Sequence, residues 1–243
     1  MEEKSILDDY QKDVLRVGDF MYFYDDNYNA IIAKYIPTKP TKHLKIPVEV
    51  YDSDSRIYKV KSIFGAVFVA RQELKTVEIP YGIETIGDNA FTHCYNLKEV
   101  IIADSVKKVG HGAFSSCKKL EKVRLSNSLD IIEKDLFISC EKLERIELPD
   151  GVEEIGERAF GLCKQLTDIP LPPSLKKIGK EAFTYCIKLK SVFLPPFVEE
   201  IADDAYRGCE MLESVYADKA NKKYYGNCMV KGYPYKHIRL KNS

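Results

Sequence analysis

Six of the seven cysteines in this 243-residue chain stand 23 residues apart: Cys94, Cys117, Cys140, Cys163, Cys186 and Cys209. An interval of that length, held without slippage, marks a solenoid of stacked units. Other columns keep the same phase. An aromatic precedes each cysteine by three (Phe91, Phe114, Phe137, Phe160, Phe183, Tyr206), and a leucine follows it by three (Leu97, Leu120, Leu143, Leu166, Leu189, Leu212). Next come Val100, Val123, Ile146, Ile169, Val192 and Val215, and two residues on Ile102, Leu125, Leu148, Leu171, Leu194 and Ala217. A β-branched column (Ile86, Val109, Ile132, Ile155, Ile178, Ile201) precedes the aromatic by five, and Gly87, Gly110, Gly156 and Gly179 follow it. One such unit cannot enclose its own apolar side chains. Stacked units can, because like residues pile into ladders around one shared core.

Within a unit, Leu-x-x-Val/Ile-x-Leu alternates and predicts a short strand, so successive units should pair in parallel. Val/Leu-x-x-Ile-Gly, as in Val152 to Gly156, predicts a second extended piece. The segment between them, for example Gly156 to Cys163, is too short for a full helix and suits one helical turn. Leu148-Pro149, Leu171-Pro172 and Leu194-Pro195 mark strand exits, where proline's missing amide is tolerated. Upstream, Ile63, Phe68, Leu74, Val77 and Ile79 keep the phase while Arg71 replaces the cysteine, giving a seventh, degenerate unit. Leu44-x-Ile46-Pro47 resembles one more strand exit, followed by an excursion through Tyr51 to Tyr58.

Terminal units would expose core, so caps are expected. Val17 to Tyr24 and Ala30 to Tyr35 flank Asp25-Asp26-Asn27-Tyr28-Asn29, a hairpin signal. Ile6, Leu7, Tyr10, Val14 and Leu15 predict a short amphipathic helix over residues 4–15 packed on that cap. After Ala217 the phase is lost and Cys228 is out of register. Residues 218–243, with strand-like pieces at Tyr224-Tyr225 and Lys236 to Leu240, are expected to form a C-terminal cap. The organisation reads as an N-terminal segment and capping hairpin over 1–57, a repeat array over 58–217 and a cap over 218–243.

These columns, aromatic-x-x-Cys-x-x-Leu-x-x-Ile-x-Leu-Pro followed by Ile-Gly, closely resemble the BspA-like leucine-rich repeats of bacteria and some protists. Gly151 to Pro172 is the clearest stretch. The match covers about residues 58–217, and Ile46 to Ile63 looks like the family's entry into the array. The resemblance implies an α/β repeat solenoid: a right-handed leucine-rich-repeat coil with a parallel strand ladder, short helical turns, an N-terminal β-hairpin cap and a C-terminal cap. It also implies a surface-exposed or secreted protein associated with adhesion. The chain departs from the general leucine-rich pattern where an asparagine or cysteine usually follows the strand, carrying Ser105, Ser128, Gly151, Ser174 and Phe197.

Charge argues against a polyelectrolyte partner: Lys plus Arg and Asp plus Glu number 37 each, so no nucleic-acid binding is expected. No run approaches the ~18 apolar residues of a membrane span. The N-terminus is acidic where a signal peptide is basic, which reads as a cytoplasmic chain or one whose leader was trimmed. The cysteine column admits four readings: buried structural thiols, disulfides between neighbours, a metal ladder or reactive thiols. The first is preferred, because zinc sites usually use paired Cys-x-x-Cys and identical rotamers point the same way. His93 abuts Cys94 but occupies a variable position shared with Ser116, Ser139, Leu162, Tyr185 and Gly208, so surface histidine is the plainer reading. His43, His111 and His237 show no motif. Glu153-Glu154 and Glu199-Glu200 alternate with Lys107-Lys108 and Lys176-Lys177, which suggests charge compensation between coils. No catalytic residue, cofactor or metal site is expected.

Side chains alternate along a strand, so two columns face outward. One reads Thr76, Glu99, Lys122, Arg145, Asp168, Ser191, Ser214; the other reads Glu78, Ile101, Arg124, Glu147, Pro170, Phe193, Tyr216. Lys122, Arg124 and Arg145 form a basic cluster, while Pro170, Phe193 and Tyr216, with Pro172 and Pro195 nearby, form an apolar one. The expected function is a non-catalytic scaffold binding a protein partner through these residues. The alternatives are a self-associating structural protein and an enzyme with its site in a terminal segment. A C-terminal cap folded over both Phe193 and Tyr216 would remove the aromatic patch from consideration.

Overall fold

A computed structural model of the chain describes residues 14–202, 204–218 and 238–241. The described chain enters through β1 (Val14–Val17), β2 (Phe20–Tyr24) and β3 (Asn29–Tyr35), an antiparallel run. Asp25 turns β2 into β3, because its Oδ1 accepts the amides of Asn27 and Asn29 at 3.0 and 2.9 Å. The expected hairpin is therefore present. Most of the expected helix over 4–15 lies outside the described residues, and Val14 and Leu15 belong to β1 rather than to a helix. Then come β4 (His43–Lys45) and the antiparallel pair β5 (Glu49–Tyr51) and β6 (Ile57–Ile63).

From β6 the chain winds as a parallel-strand solenoid of about seven turns, each adding to two ladders. The first ladder carries the Leu-x-x-Val/Ile-x-Leu segments: β4 continues into β7 (Thr76–Ile79), β9 (Glu99–Ile102) and β11 (Lys122–Arg124). Further along it lie β15 (Ser191–Phe193), β17 (Ser214–Asp218) and β18 (Ile238–Lys241). β18 pairs with β17 in parallel and overlaps the expected piece at Lys236 to Leu240. Tyr224-Tyr225 and Cys228 lie outside the described residues. The second ladder joins β6, β8 (Thr85–Ile86) and β10 (Lys108–Val109), then β12 (Ile131–Ile132), β13 (Glu154–Ile155), β14 (Lys177–Ile178) and β16 (Glu200–Ile201).

The segments between the ladders correct one expectation. They are tight turns, and among the described residues no helix occurs, so the class is a β-solenoid and not an α/β one. The reason is where the amides go. Phe91, His93 and Asn89 donate to the next coil (Ala113, Ser115 and His111 carbonyls, 2.8–2.9 Å), while Ala90, Thr92 and Cys94 donate three residues back within the turn. A helix would spend every amide inside itself; here alternate amides tie coil to coil. Alternation requires a left-handed residue at two places per turn. These are Asn89 and His93, Gly112 and Ser116, Asp135 and Ser139, Arg158 and Leu162, and Glu181 and Tyr185, with φ from 51° to 62°. The left-handed basin costs non-glycine residues roughly 1–2 kcal/mol, which the inter-coil hydrogen bonds offset. The variable column containing His93 thus has a backbone role.

Inside the turns the aromatic column forms a pillar. Rings from Phe68 to Tyr206 stack at centroid spacings of 4.7–5.8 Å with interplanar angles of 15° or less. Tyr35 and Phe20 complete its upper end at 5.1 and 6.5 Å from Phe68. Beside the pillar runs the cysteine column, wholly interior. Each thiol donates to the carbonyl of the phenylalanine 26 residues earlier, from Cys94 to Phe68 (3.1 Å) through Cys209 to Phe183 (3.1 Å). All six are free thiols, and a disulfide between neighbours would give up these bonds. Arg71 takes the column's first place, where the coil above is the hairpin: its guanidinium lies over the Tyr35 ring at 5.4 Å and donates to the Tyr35 carbonyl at 2.9 Å.

The glycine after the second ladder sets how closely coils stack. A Cβ on Gly156 would sit 2.7 Å from the Lys134 nitrogen, and one on Gly110 2.6 Å from that of Asp88. The missing side chain lets the backbones close in these coils, and the amides then bond: Gly110 to Ile86, Gly156 to Ile132 and Gly179 to Ile155, all at 2.7–2.8 Å. Gly156→Glu is expected to destabilise the fold by about 1–3 kcal/mol, as overpacking does. It should also raise amide exchange at residue 156; unchanged exchange there would discount the close-approach argument.

Candidate functional site

The outward face of the first ladder is where the sequence places its candidate residues, and the structure separates them into two groups. Lys122 and Arg124 lie on β11, and Arg145 lies at the isolated bridge Arg145↔Asp168. All three line one cleft of about 600 Å³, together with Glu121, Glu147, Asp150 and Gly151. Phe193 on β15 and Tyr216 on β17 form the second group, stacked at 4.7 Å with ring planes 10° apart. Phe193 is 48% exposed and Tyr216 half-buried, so the two are not both covered. Pro170 is exposed between the groups, whereas Pro172 and Pro195 are buried.

The cleft exists because the coils part there. In the second ladder no pairing joins β10 to β12, and in the first ladder β11 is a sheet edge that does not reach Arg145 to Leu148. Two departures from the repeat, Glu133 and Gly151, coincide here with one of its recurring prolines. Glu133 stands where Gly110 and Gly156 allow close approach, and the amide-to-carbonyl bond made by Gly87, Gly110, Gly156, Gly179 and Ala202 has no counterpart at Glu133. Ala202 shows that a methyl alone is accommodated near the end of the array. Pro149, like Pro172 and Pro195 in later coils, has no amide to give where Ala103 bonds the Ile79 carbonyl at 3.0 Å. Gly151 replaces the serines whose hydroxyls tie loop to loop, Ser105 to Ile83 and Ser128 to Asp104 at 2.7 Å and Ser174 to Val152 at 2.6 Å.

The turns alone keep backbone bonds across this seam: Gly112 to Lys134, Phe114 to Leu136 and Ser116 to Ile138, at 2.7–3.1 Å. Side chains add His111–Glu133 at 3.2 Å and Lys118–Glu141 at 3.4 Å. The aromatic pillar registers the opening, since Phe114–Phe137 has its widest spacing between coils, 5.8 Å. The first ladder is also thin after the seam. Pro170 lacks the amide that would extend the Arg145–Asp168 bridge, and Asp168 to Pro170 is unpaired with β15.

The electrostatics refine the predicted basic cluster. Arg124 is committed: its guanidinium holds Asp104 at 3.1 and 3.2 Å and the Ile102 carbonyl at 2.8 Å. Asp104, which sequence reading missed, has its carboxyl held below the usual range, first by the Asn127 amide and then by Arg124. Lys122 and Arg145 have no ion pair among the described residues. Elsewhere charge compensation holds as expected, Lys176 meeting Glu153 at 2.8 Å and Lys177 meeting Glu154 at 3.3 Å. Exposed Tyr81, on a loop after a strand exit, was not singled out, because a lone loop aromatic carries no periodic signal; Phe197, read in the sequence only as a departure from the leucine-rich pattern, is exposed too. Among the described residues no three His, Cys, Asp or Glu side chains are grouped to hold a metal ion, and no helix is long and apolar enough to cross a membrane.

The comparison that decides the family is a match to the BspA type leucine-rich repeat region, in six copies, over residues 57–152 and 130–243. The chain belongs to the BspA-type leucine-rich repeat family. Among solved structures, this family member is similar to the T. pallidum leucine-rich repeat protein, with a TM-score of 0.65 and 24% identity over 84% of this chain and 87% of that one. It is also similar to a leucine-rich repeat protein from Eubacterium ventriosum, with a TM-score of 0.70 and 24% identity. That match covers 82% of this chain and 50% of the other. At these identities the likeness is one of fold. No curated protein matches the chain. The BspA-type repeats account for the columns, while the seam falls where Glu133 and Gly151 leave the chain's own repeat beside Pro149.

Proposed function

We propose that this chain is a non-catalytic scaffold that binds a protein partner through the outward face of its first strand ladder. The observation that carries the reading is the stacked Phe193–Tyr216 pair on that face, with Phe193 48% exposed beside exposed Pro170. Large aromatics displayed on a rigid sheet supply contact area at low entropic cost and are enriched where protein interfaces gain most of their energy. A ladder without a deep enclosed site suits an extended partner. Family resemblance adds an adhesion-related role for that partner.

The test is capture of partners from host or cognate extracts by wild type and by Phe193→Ala/Tyr216→Ala. A hot-spot pair is expected to contribute 2 kcal/mol or more, about thirtyfold in affinity, so recovery of the specific partner should collapse. Equal recovery of every partner would remove the aromatic patch from the face.

A further inference from the structure

The seam carries an inference that rests on the interaction reading and sharpens it. Register places like with unlike along the first outward column on both sides of the seam: Glu99 lies beside Lys122, and Arg145 lies beside Asp168. Across the seam the next neighbours are Lys122 and Arg145, two cations of the same column without an ion pair among the described residues. Like charges opposite one another on a sheet face destabilise the pairing. The second outward column is different: Arg124 precedes Glu147 there, so it needs no added charge. Beneath these side chains, β11 offers a strand edge that pairs with β9 on its other side only, facing Arg145 to Glu147 across the cleft of about 600 Å³.

An unpaired edge of backbone amides and carbonyls is a template for one more strand. We propose that the seam seats an extended acidic segment of a protein partner: its main chain adds to the edge of β11, and one aspartate or glutamate side chain lies between Lys122 and Arg145. The chemistry follows from the two features together. Main-chain bonds provide affinity along the edge, and the carboxylate neutralises the one like-charged step in the column. The thin ladder beyond the seam supplies the second wall, held to the next coil by the Arg145–Asp168 bridge and by Thr167, whose amide and hydroxyl donate to the Glu144 carbonyl at 3.1 and 3.3 Å.

The test uses the full chain and a short fluorescein-labelled peptide of alternating Thr and Val with one central Glu, followed by fluorescence anisotropy. The expected result is saturable binding that weakens about tenfold or more when the central Glu is replaced by Gln, the loss of one charge-assisted contact. Lys122→Gln/Arg145→Gln, which touches only exposed side chains, should weaken the Glu peptide similarly and leave the Gln peptide unaffected. Amide exchange at residues 122–124 should slow in the complex. No saturable binding, equal binding of the Glu and Gln peptides, or unchanged exchange on β11 overturns the seam site. Phe193→Ala/Tyr216→Ala keeps the two readings apart. Seam-dependent peptide binding with partner capture indifferent to that variant sinks the aromatic patch alone; capture dependent on it, with no peptide binding, sinks the seam alone.

Discussion

Phe160→Ala is expected to cost about 3–5 kcal/mol, the range for removing a fully buried phenylalanine and leaving a cavity. Phe160 has no exposed surface, and its ring stacks on Phe137 at 5.6 Å and on Phe183 at 5.5 Å. Both stacks end with the same substitution, each worth roughly 0.5–1.5 kcal/mol beyond burial. Phe160→Leu keeps most of the volume and loses the stacking, so it should cost less than half as much. Urea denaturation of the two variants beside wild type measures both. Equal, small losses would mean that the pillar is a by-product of stacking and not a source of stability.

Alkali should unfold the protein steeply. Burial pushes the thiols of Cys94, Cys163 and Cys209 up to about 12, and those of Cys117, Cys140 and Cys186 well above the ordinary value. In the unfolded chain a cysteine ionises near ~8.5. The folded state therefore holds protons that the unfolded state releases. The stabilisation is complete below ~8.5 and is lost as pH rises from there toward 12, at about 1.4 kcal/mol per thiol per pH unit. With six such thiols the loss overtakes a typical stability of roughly 5–15 kcal/mol within two units, so cooperative unfolding is expected near pH 10. Cys163→Ala separates this from tyrosine ionisation, because it should shallow the pH dependence by one thiol's share. In a Cys228→Ala background, thiolate absorbance rising at pH 9 while the fold persists would contradict the argument.

The columns made the coil readable from sequence because each apolar ladder repeats at one phase and burial demands nothing more than that. The outward columns were equally readable from strand alternation, and Lys122, Arg124, Arg145, Pro170, Phe193 and Tyr216 all fall on or beside the ladder face. What could not be read was how the coils bond. A segment such as Gly156 to Cys163 has helix-forming residues and too little length, and only the alternate destination of its amides shows that it is a tight turn. Glu133 and Gly151 were visible as irregularities, the latter as a departure from serine, and Pro149 as one of the recurring strand exits. Their common effect depends on adjacency across coils: an absent glycine, an absent amide and an absent hydroxyl fall on one junction. Asp104, which occupies Arg124, lies 20 residues away in the chain, in a column that varies from Tyr81 to Asn127, Asp150 and Pro173 and so does not announce the pair.

The junction between Cys117 and Cys140 also has a mechanical meaning. If this rod is anchored and tugged along its axis, tension runs from each coil to the next through every rung they share. Most junctions bear it on turns and on at least one strand ladder; this one bears it on three backbone bonds in the turns, side-chain contacts and the connecting chain alone. The rod should therefore yield there first, parting into two stacks while each stack stays wound.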